Sequence, residues 1–298
     1  HESTALPPRQ WRSRSALERA RRVIHMRRTP SFLRSLGMGL ALILPIASCR
    51  SAPEAPDDVT LTVLSYNIHH GEGTDGVFDL ERIAQVILDS EADLVALQEV
   101  DVNTGRSSGV DQASELARLT GMTAYFGEAI PYDGGSYGDA VLSRLPVSSH
   151  QNWMLPAEPN HEKRVAVSVV AELPNGQNVR FIGTHLDHTS NPSDRVAQAK
   201  KLLELAFPEG KDSPGTLLLG DMNAQPGSEP MRLLMESFDS AAPDGTPSFP
   251  SDEPVRAIDW VLYAPRDLWK VELVEVLHAP IASDHAPLRA ILSHKLHR

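Results

Sequence analysis

The segment "LLLGDMNAQP", residues 217–226, is the most informative part of the chain for its fold. Three leucines and a glycine indicate a buried strand, and that strand ends in Asp221 and Asn223 before a Pro-Gly turn. An unpaired carboxylate in apolar surroundings costs several kcal/mol, so Asp221 requires a cation or a hydrogen-bond donor beside it. Period-two alternation predicts that Asp221 and Asn223 lie on the same side of the strand end.

Polar side chains also lie at or near the ends of five other apolar stretches. They are Asn67 in "SYNIHHG", Glu99 in "ALQEVD", His185 in "GTHLD", Asp259 in "AIDWV", and Asp284 with His285 in "ASDH". Repeated polar strand ends predict that one rim of the sheets carries a site. Carboxylate and amide oxygens suit a hard cation, so the pattern predicts a Mg²⁺ or Mn²⁺ site.

Strand-like and helix-like segments alternate over residues 59–293, which predicts one α/β domain. Apolar periodicity predicts helices over residues 79–90, 109–121, 193–207 and 228–237. Strands are predicted over residues 59–68, 92–100, 137–147, 164–173, 178–186, 215–223, 255–264, 268–277 and 286–292. Asp79 and Ser228 precede two of the helices and are the predicted N-caps.

The ordered set "NIHHG … LQEVD … THLD … GDMN … IDWV … SDH" resembles the endonuclease/exonuclease/phosphatase superfamily, which includes nucleases, sphingomyelinases and inositol phosphatases. The match covers about residues 60–292, and six motifs in order are far more specific than one. The resemblance implies an α/β fold in which two packed mixed β-sheets are flanked by helices in a four-layer sandwich. It also implies metal-dependent hydrolysis of a phosphate ester.

The resemblance implies metal-binding roles for three residues. Glu99 would be the main metal carboxylate, with Asn67 beside it. Asp284 would bind the metal directly or through water. The implied cofactor is Mg²⁺ or Mn²⁺.

The resemblance also implies roles in the reaction itself. Asp221 would orient or deprotonate the attacking water, and Asn223 would hold a phosphate oxygen. His285 would act beside the phosphate, aligned by Asp259 in a carboxylate–histidine pair. His185 would donate to a phosphate oxygen or assist the leaving group.

Some of these residues have other interpretations. Asp259 could form a buried ion pair with Arg256, although the "SDH" motif further along the chain favours pairing with His285. An H-x-H-x-D-H zinc pattern would include His188, but its first histidine would fall at Gly183.

Three further residues near these motifs could contact a substrate. Arg106 and Arg164 could bind phosphate, but an exposed arginine is the ordinary expectation. The segment "YGDAVLSR" resembles the strand that lines the cleft in the family, and Asp139 stands where many relatives have Asn.

The amino-terminal part of the chain predicts export. Residues 26–48 contain a Met, two arginines, an apolar run and small residues, which is the layout of a secretory signal. The ending "IASC" resembles a bacterial lipoprotein signal, which implies a lipid on Cys49 and attachment to a membrane. Cys49 is the only cysteine, so no intramolecular disulfide is possible, and the alternative is a buried, inert thiol.

The segments around this signal complete the predicted organisation. Residues 1–25 are rich in arginine and are interpreted as an upstream extension. Residues 49–58 form a short proline-rich, acidic tether. Arg50 follows Cys49, which by resemblance to lipoprotein sorting in Gram-negative bacteria favours the outer membrane, facing the periplasm or the cell surface.

Charge limits the substrates that the domain attracts. The chain has a net charge of −11, and without residues 1–48 it has 19 basic and 37 acidic side chains, a formal charge of −18. Such a domain repels polyanions at long range, which argues against coating nucleic acid. It does not exclude cleavage of a phosphate ester held by a metal ion.

The expected function is that of a phosphodiesterase acting on a lipid headgroup or a small molecule outside the cytoplasm. A nuclease is the alternative within the class, and it predicts a basic groove that the sequence does not show. A non-catalytic binding module on the same scaffold is an alternative of another class. It is disfavoured because every residue type that the reaction needs is present.

Overall fold

The computed structural model describes residues 59–208 and 215–295. The predicted upstream extension, signal segment, tether and Cys49 lipidation site lie outside the described residues. Within the described part of the chain, no helix is both long enough and apolar enough to cross a membrane.

The described ranges form twelve strands and four α-helices. The strands are β1 (Val59–Asn67), β2 (Leu94–Val102), β3 (Thr123–Tyr132), β4 (Gly135–Ser143), β5 (Val147–Met154), β6 (Val165–Glu172), β7 (Asn178–His185), β8 (Gly215–Asp221), β9 (Asp239–Ser240), β10 (Asp259–Ala264), β11 (Trp269–Val276) and β12 (Leu288–His294). The helices are α1 (Leu80–Asp89), α2 (Gln112–Thr120), α3 (Ser193–Ala206) and α4 (Glu229–Leu234).

The strands form two six-stranded mixed sheets. The order is β11-β12-β1-β2-β4-β3 in the first sheet and β5-β6-β7-β8-β10-β9 in the second. One pair near the centre of each sheet is parallel, β1 with β2 and β7 with β8, and the other neighbours are antiparallel. The predicted α/β sandwich of two packed mixed sheets is therefore confirmed.

Buried apolar side chains form three layers. The layer between the sheets includes Val63 of β1 and Leu219 of β8. Helices α1 and α2 cover the outer face of the first sheet through Ile83 and Leu116, and α3 covers the second through Leu202. Because both faces of β8 are covered, all of its residues are buried, which explains its unbroken apolar run.

The two predicted N-caps have different outcomes. The Asp79 carboxylate accepts a hydrogen bond of 2.9 Å from the Arg82 backbone N–H at the start of α1, so this cap is confirmed. Ser228 occupies the N-cap position of α4, but its hydroxyl donates to the Gln225 carbonyl at 2.7 Å. The Ser228 side chain therefore does not satisfy the N–H groups of that helix.

One predicted strand is wrong. The sequence predicts a single strand over residues 137–147, whereas β4 ends at Ser143 and β5 begins at Val147 in the other sheet. The Ser143 hydroxyl accepts a hydrogen bond of 3.1 Å from the Leu145 N–H, which turns the chain, and Pro146 has no N–H to continue the ladder.

The parallel pairs position the site. The carboxyl ends of β1 and β2 in one sheet and of β7 and β8 in the other reach the same rim of the sandwich, where the Asn67 amide contacts both Glu99 and Asp221. Strand β10 runs antiparallel to β8 and begins at this rim, with Asp259 opposite Asp221.

Candidate active site

Asn67 joins the two sheets at the bottom of the site. Its amide nitrogen donates to Glu99 Oε1 at 3.1 Å and to Asp221 Oδ2 at 3.3 Å. Its amide oxygen accepts from the His69 backbone N–H at 3.0 Å, which fixes the orientation of the amide. The amide nitrogen therefore faces the two carboxylates, and binding of a metal by Asn67 stays a prediction.

Glu99 lies where β2 is irregular. The pairing of β2 with β4 shifts between Leu97 and Val100, and Glu99 has a left-handed φ of 60°. Such a conformation is unfavourable for a residue with a Cβ and recurs at functional sites. Asp139 in β4 lies beside the Glu99 backbone, and burial raises the pKa of its carboxyl well above the ordinary value. This bulge directs the Glu99 side chain into the cleft instead of into a regular sheet face.

His285 and Asp259 form a buried pair. His285 Nδ1 lies 2.9 Å from Asp259 Oδ2, and the Ser248 hydroxyl donates to the same oxygen. Burial lowers the pKa of His285, but the charge and hydrogen bond of Asp259, together with the charges of Asp221 and Asp284, outweigh it, and the net shift is upward. The ring is therefore held as a cation in a fixed orientation. The alternative ion pair of Asp259 with Arg256 is wrong, because the Arg256 guanidinium lies over the Phe249 ring.

Asp221 lies between two histidines. Its Oδ2 is 3.4 Å from His185 Nε2 and 3.6 Å from His285 Nε2. The side chain is buried, and burial together with the charge of Asp259 raises the pKa of Asp221. A carboxylate with a raised pKa is a better proton acceptor at neutral pH than an ordinary aspartate.

Asn223 lies beside Asp221, but the backbone conformation that places it there differs from the predicted one. Strand β8 ends at Asp221, and Asn223 follows in a left-handed conformation with a φ of 46°. Its backbone N–H donates to Asp221 Oδ1 at 2.8 Å, and its side-chain amide nitrogen lies 2.9 Å from His185 Nε2 and donates to the Leu186 carbonyl at 3.1 Å. The prediction from strand alternation is therefore wrong in its reason, because a turn stabilised by the Asp221 side chain brings the residues together.

Arg164 orients His185 from the other side. Its Nη1 lies 3.1 Å from His185 Nδ1, and its Nη2 lies 3.1 Å from His188 Nδ1. A guanidinium can only donate, so Nδ1 of His185 is a hydrogen-bond acceptor, while its Nε2 lies beside both Asp221 and the Asn223 amide nitrogen. Burial and the charge of Arg164 lower the pKa of His185. Arg164 is 3% exposed, so the expectation of an ordinary exposed arginine is wrong.

The side chains of both sheets enclose one open cavity of about 290 Å³ at this rim. Its lining is Glu99, Tyr137, Glu162, Arg164, His185, His188, Asp221, Asn223 and His285. Sequence reasoning identified most of these residues but missed Glu162 and gave His188 no role. Both residues contact Arg164. Arg164 lies directly before the strongly apolar strand β6, and this position was the available signal that a site residue lies there.

Asp284 lies beside this group, next to His285 in the chain. Its Oδ1 is 3.4 Å from the Ser283 hydroxyl, and its backbone carbonyl accepts from the Ser251 N–H at 2.7 Å. The side chain is partly exposed, and its charge acts on His285 and Tyr66. Metal binding by Asp284 stays a prediction.

The donor set of the cleft fits a divalent cation. Asp221, Asp259 and His285 offer ligand atoms within 4.8 Å of one another. Asp259 and His285 are hydrogen-bonded to each other, which occupies ligand atoms of both side chains. Among the described residues, the Glu99 side chain has a single hydrogen bond, to Asn67. Carboxylate oxygens with free lone pairs suit Mg²⁺ or Mn²⁺, so the Glu99 side of the cleft is where these residues would hold the ion.

The sequence profile of the Endonuclease/Exonuclease/phosphatase family matches residues 64–285, and the chain belongs to this family of phosphoester hydrolases. The chain is 25% identical over 251 residues to the uncharacterised Escherichia coli protein YbhP. This alignment covers 80% of this chain and 98% of YbhP. A similar structure is the endonuclease/exonuclease/phosphatase from Beutenbergia cavernae, with a TM-score of 0.66 and 25% identity over 79% of this chain and 72% of that one. A mannosyl-6-phosphatase from Bacteroides thetaiotaomicron shares the fold, with a TM-score of 0.63 and 20% identity over 78% and 99% of the chains.

Proposed function

We propose that the protein hydrolyses a phosphate ester with the help of Mg²⁺ or Mn²⁺, and that its substrate is a phosphodiester of a lipid headgroup or of a small molecule. The observation that carries the proposal is the 2.9 Å pair of His285 with Asp259, placed 3.6 Å from Asp221. Family membership supports the reaction class.

Different residues of the cleft have different roles in the proposed hydrolysis. Asp221, with its raised pKa, is placed to accept a proton from the attacking water. His285, held as a cation by Asp259, donates to a non-bridging phosphate oxygen. General acid–base help of this kind contributes about 10²- to 10⁴-fold per group.

Two further residues face the same phosphate. His185 lines the cavity, and the Asn223 amide nitrogen, 2.9 Å from His185 Nε2, can bind a second phosphate oxygen. A divalent ion held by Glu99, with Asn67 and Asp284 nearby, would supply neutralisation of charge on the phosphate oxygens.

The location and membrane attachment are also proposals. A lipid on Cys49 would tether the domain to the outer membrane through residues 50–58, and a signal over residues 26–48 would export it. Such attachment would keep the domain at a membrane surface, where lipid headgroups are available as substrates. The layout of the signal and the acidic character of the rest of the chain support this assignment.

A nuclease is less well supported, because both arginines at the cleft are already paired with carboxylates. Arg164 Nη1 lies 3.1 Å from Glu162, and Arg106 Nε lies 2.7 Å from Asp101. A surplus of unpaired cations, which binding of nucleic acid requires, is not found in the described lining of the cleft. A non-catalytic binding module would show no metal-dependent turnover of any phosphoester.

The test is a panel of esters assayed with Mg²⁺, with Mn²⁺ and with EDTA. The panel contains plasmid DNA, sphingomyelin, glycerophosphodiesters, inositol phosphates, mannose 6-phosphate and the p-nitrophenyl mono- and diesters of phosphate. His285→Ala is the test variant, and His278→Ala, which removes an exposed histidine in the same segment, is the matched control. We expect metal-dependent turnover that is lost only in His285→Ala. Equal activity of the two variants, or turnover in EDTA, would refute the proposed chemistry.

A further inference from the structure

A second, smaller cavity of about 130 Å³ adjoins the catalytic cavity. The two cavities share Tyr137 and Glu162 in their walls. The rest of the smaller cavity is lined by Arg106, Ile130 and Tyr132. A group attached to a phosphate in the catalytic cavity would therefore extend toward this space, which we call the Arg106 subsite.

Arg106 is held rigidly at this subsite. Its Nε and Nη2 donate to the two oxygens of Asp101 at 2.7 and 2.8 Å, and Asp101 is fully buried. The guanidinium carbon lies 4.5 Å from the centre of the Tyr132 ring and 5.4 Å from that of Tyr137. Among the described residues Nη1 has no hydrogen-bond partner, so one edge of the guanidinium stays available to a ligand.

The chemistry of the subsite favours a neutral ligand. The charge of Arg106 is matched by Asp101, and the charge of Glu162 is matched by Arg164 at 3.1 Å. Burial raises the pKa of Tyr137, so its hydroxyl keeps its proton and acts as a neutral group. A second phosphate would bring two negative charges to a surface with no surplus cation.

Hydroxyl groups of a ligand match the hydrogen-bonding groups that remain free in the Arg106 subsite. Nη1 of Arg106 and the hydroxyl of Tyr132 offer hydrogen bonds at the edge of the cavity, and the two tyrosine rings and Ile130 offer apolar faces. A polyol has hydroxyl groups around its edge and C–H groups on its faces. The volume corresponds to about four water molecules, which is enough for a glycerol or for part of a sugar ring.

We propose that the Arg106 subsite binds the alcohol of the phosphate ester and selects a neutral polyol such as a glycerol or a sugar. This inference rests on the proposed function, because it assigns the group that the hydrolysed phosphate carries. Tyr132 determines this specificity together with Arg106, and neither residue contacts the reacting phosphate.

Tyr132→Ala is the test variant, because its side chain is 42% exposed and lies at an open rim, so its removal leaves the fold intact. Tyr263→Ala, which removes a half-buried tyrosine of β10 on the wall of a different cavity, is the matched control. Each protein is assayed on a polyol ester and on the p-nitrophenyl ester of the same type. The pairs are mannose 6-phosphate with p-nitrophenyl phosphate, and glycerophosphoinositol with bis-p-nitrophenyl phosphate.

We expect Tyr132→Ala to raise KM for the polyol ester by about tenfold, with kcat within about twofold and the p-nitrophenyl ester unaffected. Tyr263→Ala should change neither. An equal loss on both esters would overturn the inference, because the residue would then act on the phosphate or on stability. A larger loss on fructose 1,6-bisphosphate than on mannose 6-phosphate would also overturn it, since the subsite would then bind a second anion.

Calorimetric binding distinguishes failure of this inference from failure of the proposed function. If the wild-type protein hydrolyses nothing, the proposed function fails, and binding of mannose 6-phosphate and of inorganic phosphate still tests the subsite. Weaker binding of mannose 6-phosphate alone in Tyr132→Ala supports it. Unchanged binding of mannose 6-phosphate in this variant overturns it.

Discussion

Gly220 should be irreplaceable, because the site is built on the close approach of β7 and β8 at this residue. A Cβ added to Gly220 would lie 1.9 Å from the Thr184 carbonyl oxygen, 2.9 Å from its carbon and 3.2 Å from the Thr184 nitrogen. All three are backbone atoms, so no side chain can rotate away. Thr184 precedes His185, and Gly220 precedes Asp221, so the strain acts on two residues of the site at once.

The magnitude follows from the overlap. Real Cβ atoms essentially never approach a heavy atom closer than 3.0 Å, so Gly220→Ala must separate the two strands by about 1 Å. Overpacking of this kind costs about 1–3 kcal/mol in the free energy of unfolding. A shift of about 1 Å in a catalytic group costs about 10²-fold in rate. We therefore expect kcat/KM to fall by about 10²-fold. This loss is much larger than the decrease in activity that a smaller fraction of folded protein would cause.

The assay is hydrolysis of the best ester of the panel, combined with urea unfolding of the same preparations. Gly176→Ala is the control, because Gly176 has a left-handed φ of 80° but open space around its added Cβ. It should lose about 1–2 kcal/mol through backbone strain and keep its activity. Wild-type activity in Gly220→Ala, or an equal loss in both variants, would refute the argument that strand spacing sets the geometry of the site.

Three more predictions test other parts of the structure. Asp259→Asn should lower the pKa of His285 and reduce kcat by about 10²-fold or more, and an unchanged pH–rate profile would contradict this. Asp111→Ala removes the carboxylate that accepts the Ser114 N–H at the start of α2, and it should cost about 0.5–2 kcal/mol in urea unfolding. His161 donates to Asp194 at 2.6 Å, which raises its pKa, so the pair stabilises the fold below the unfolded pKa of 6.5 and this contribution disappears as pH rises through the folded pKa. The melting temperature of His161→Ala should therefore lie furthest below that of the wild-type protein at pH 5.5, and a difference independent of pH would contradict the assignment.

Much of the fold could be predicted because its strands and helices have simple patterns. Strand β8 is a run of apolar residues with a polar end, and α1 has helical spacing behind the Asp79 cap, so both were identified within two residues of their observed bounds. Strand β3, at the edge of the first sheet, was missed. Most of its residues are exposed or half-buried, so no alternation marks it in the sequence.

The site was predictable where a polar residue interrupts an apolar stretch, as at Glu99, Asp221 and Asp259. It was not predictable where the contact depends on which strands pair with each other. Arg164 appears ordinary in sequence, yet the antiparallel pairing of β6 with β7 places it between His185 and His188. Such juxtapositions depend on strand pairing and leave no periodic signal along the chain.

Metal-dependent hydrolysis at Glu99 is best tested by the rate of phosphoester hydrolysis as a function of Mn²⁺ concentration, for the wild-type protein and for Glu99→Gln. This substitution removes the charge of the carboxylate and keeps its shape, so folding should be preserved. We predict saturable activation of the wild-type protein, loss of turnover in EDTA, and a rate for Glu99→Gln that is lower by about 10²-fold or more. Turnover that is indifferent both to EDTA and to Glu99→Gln would contradict the account.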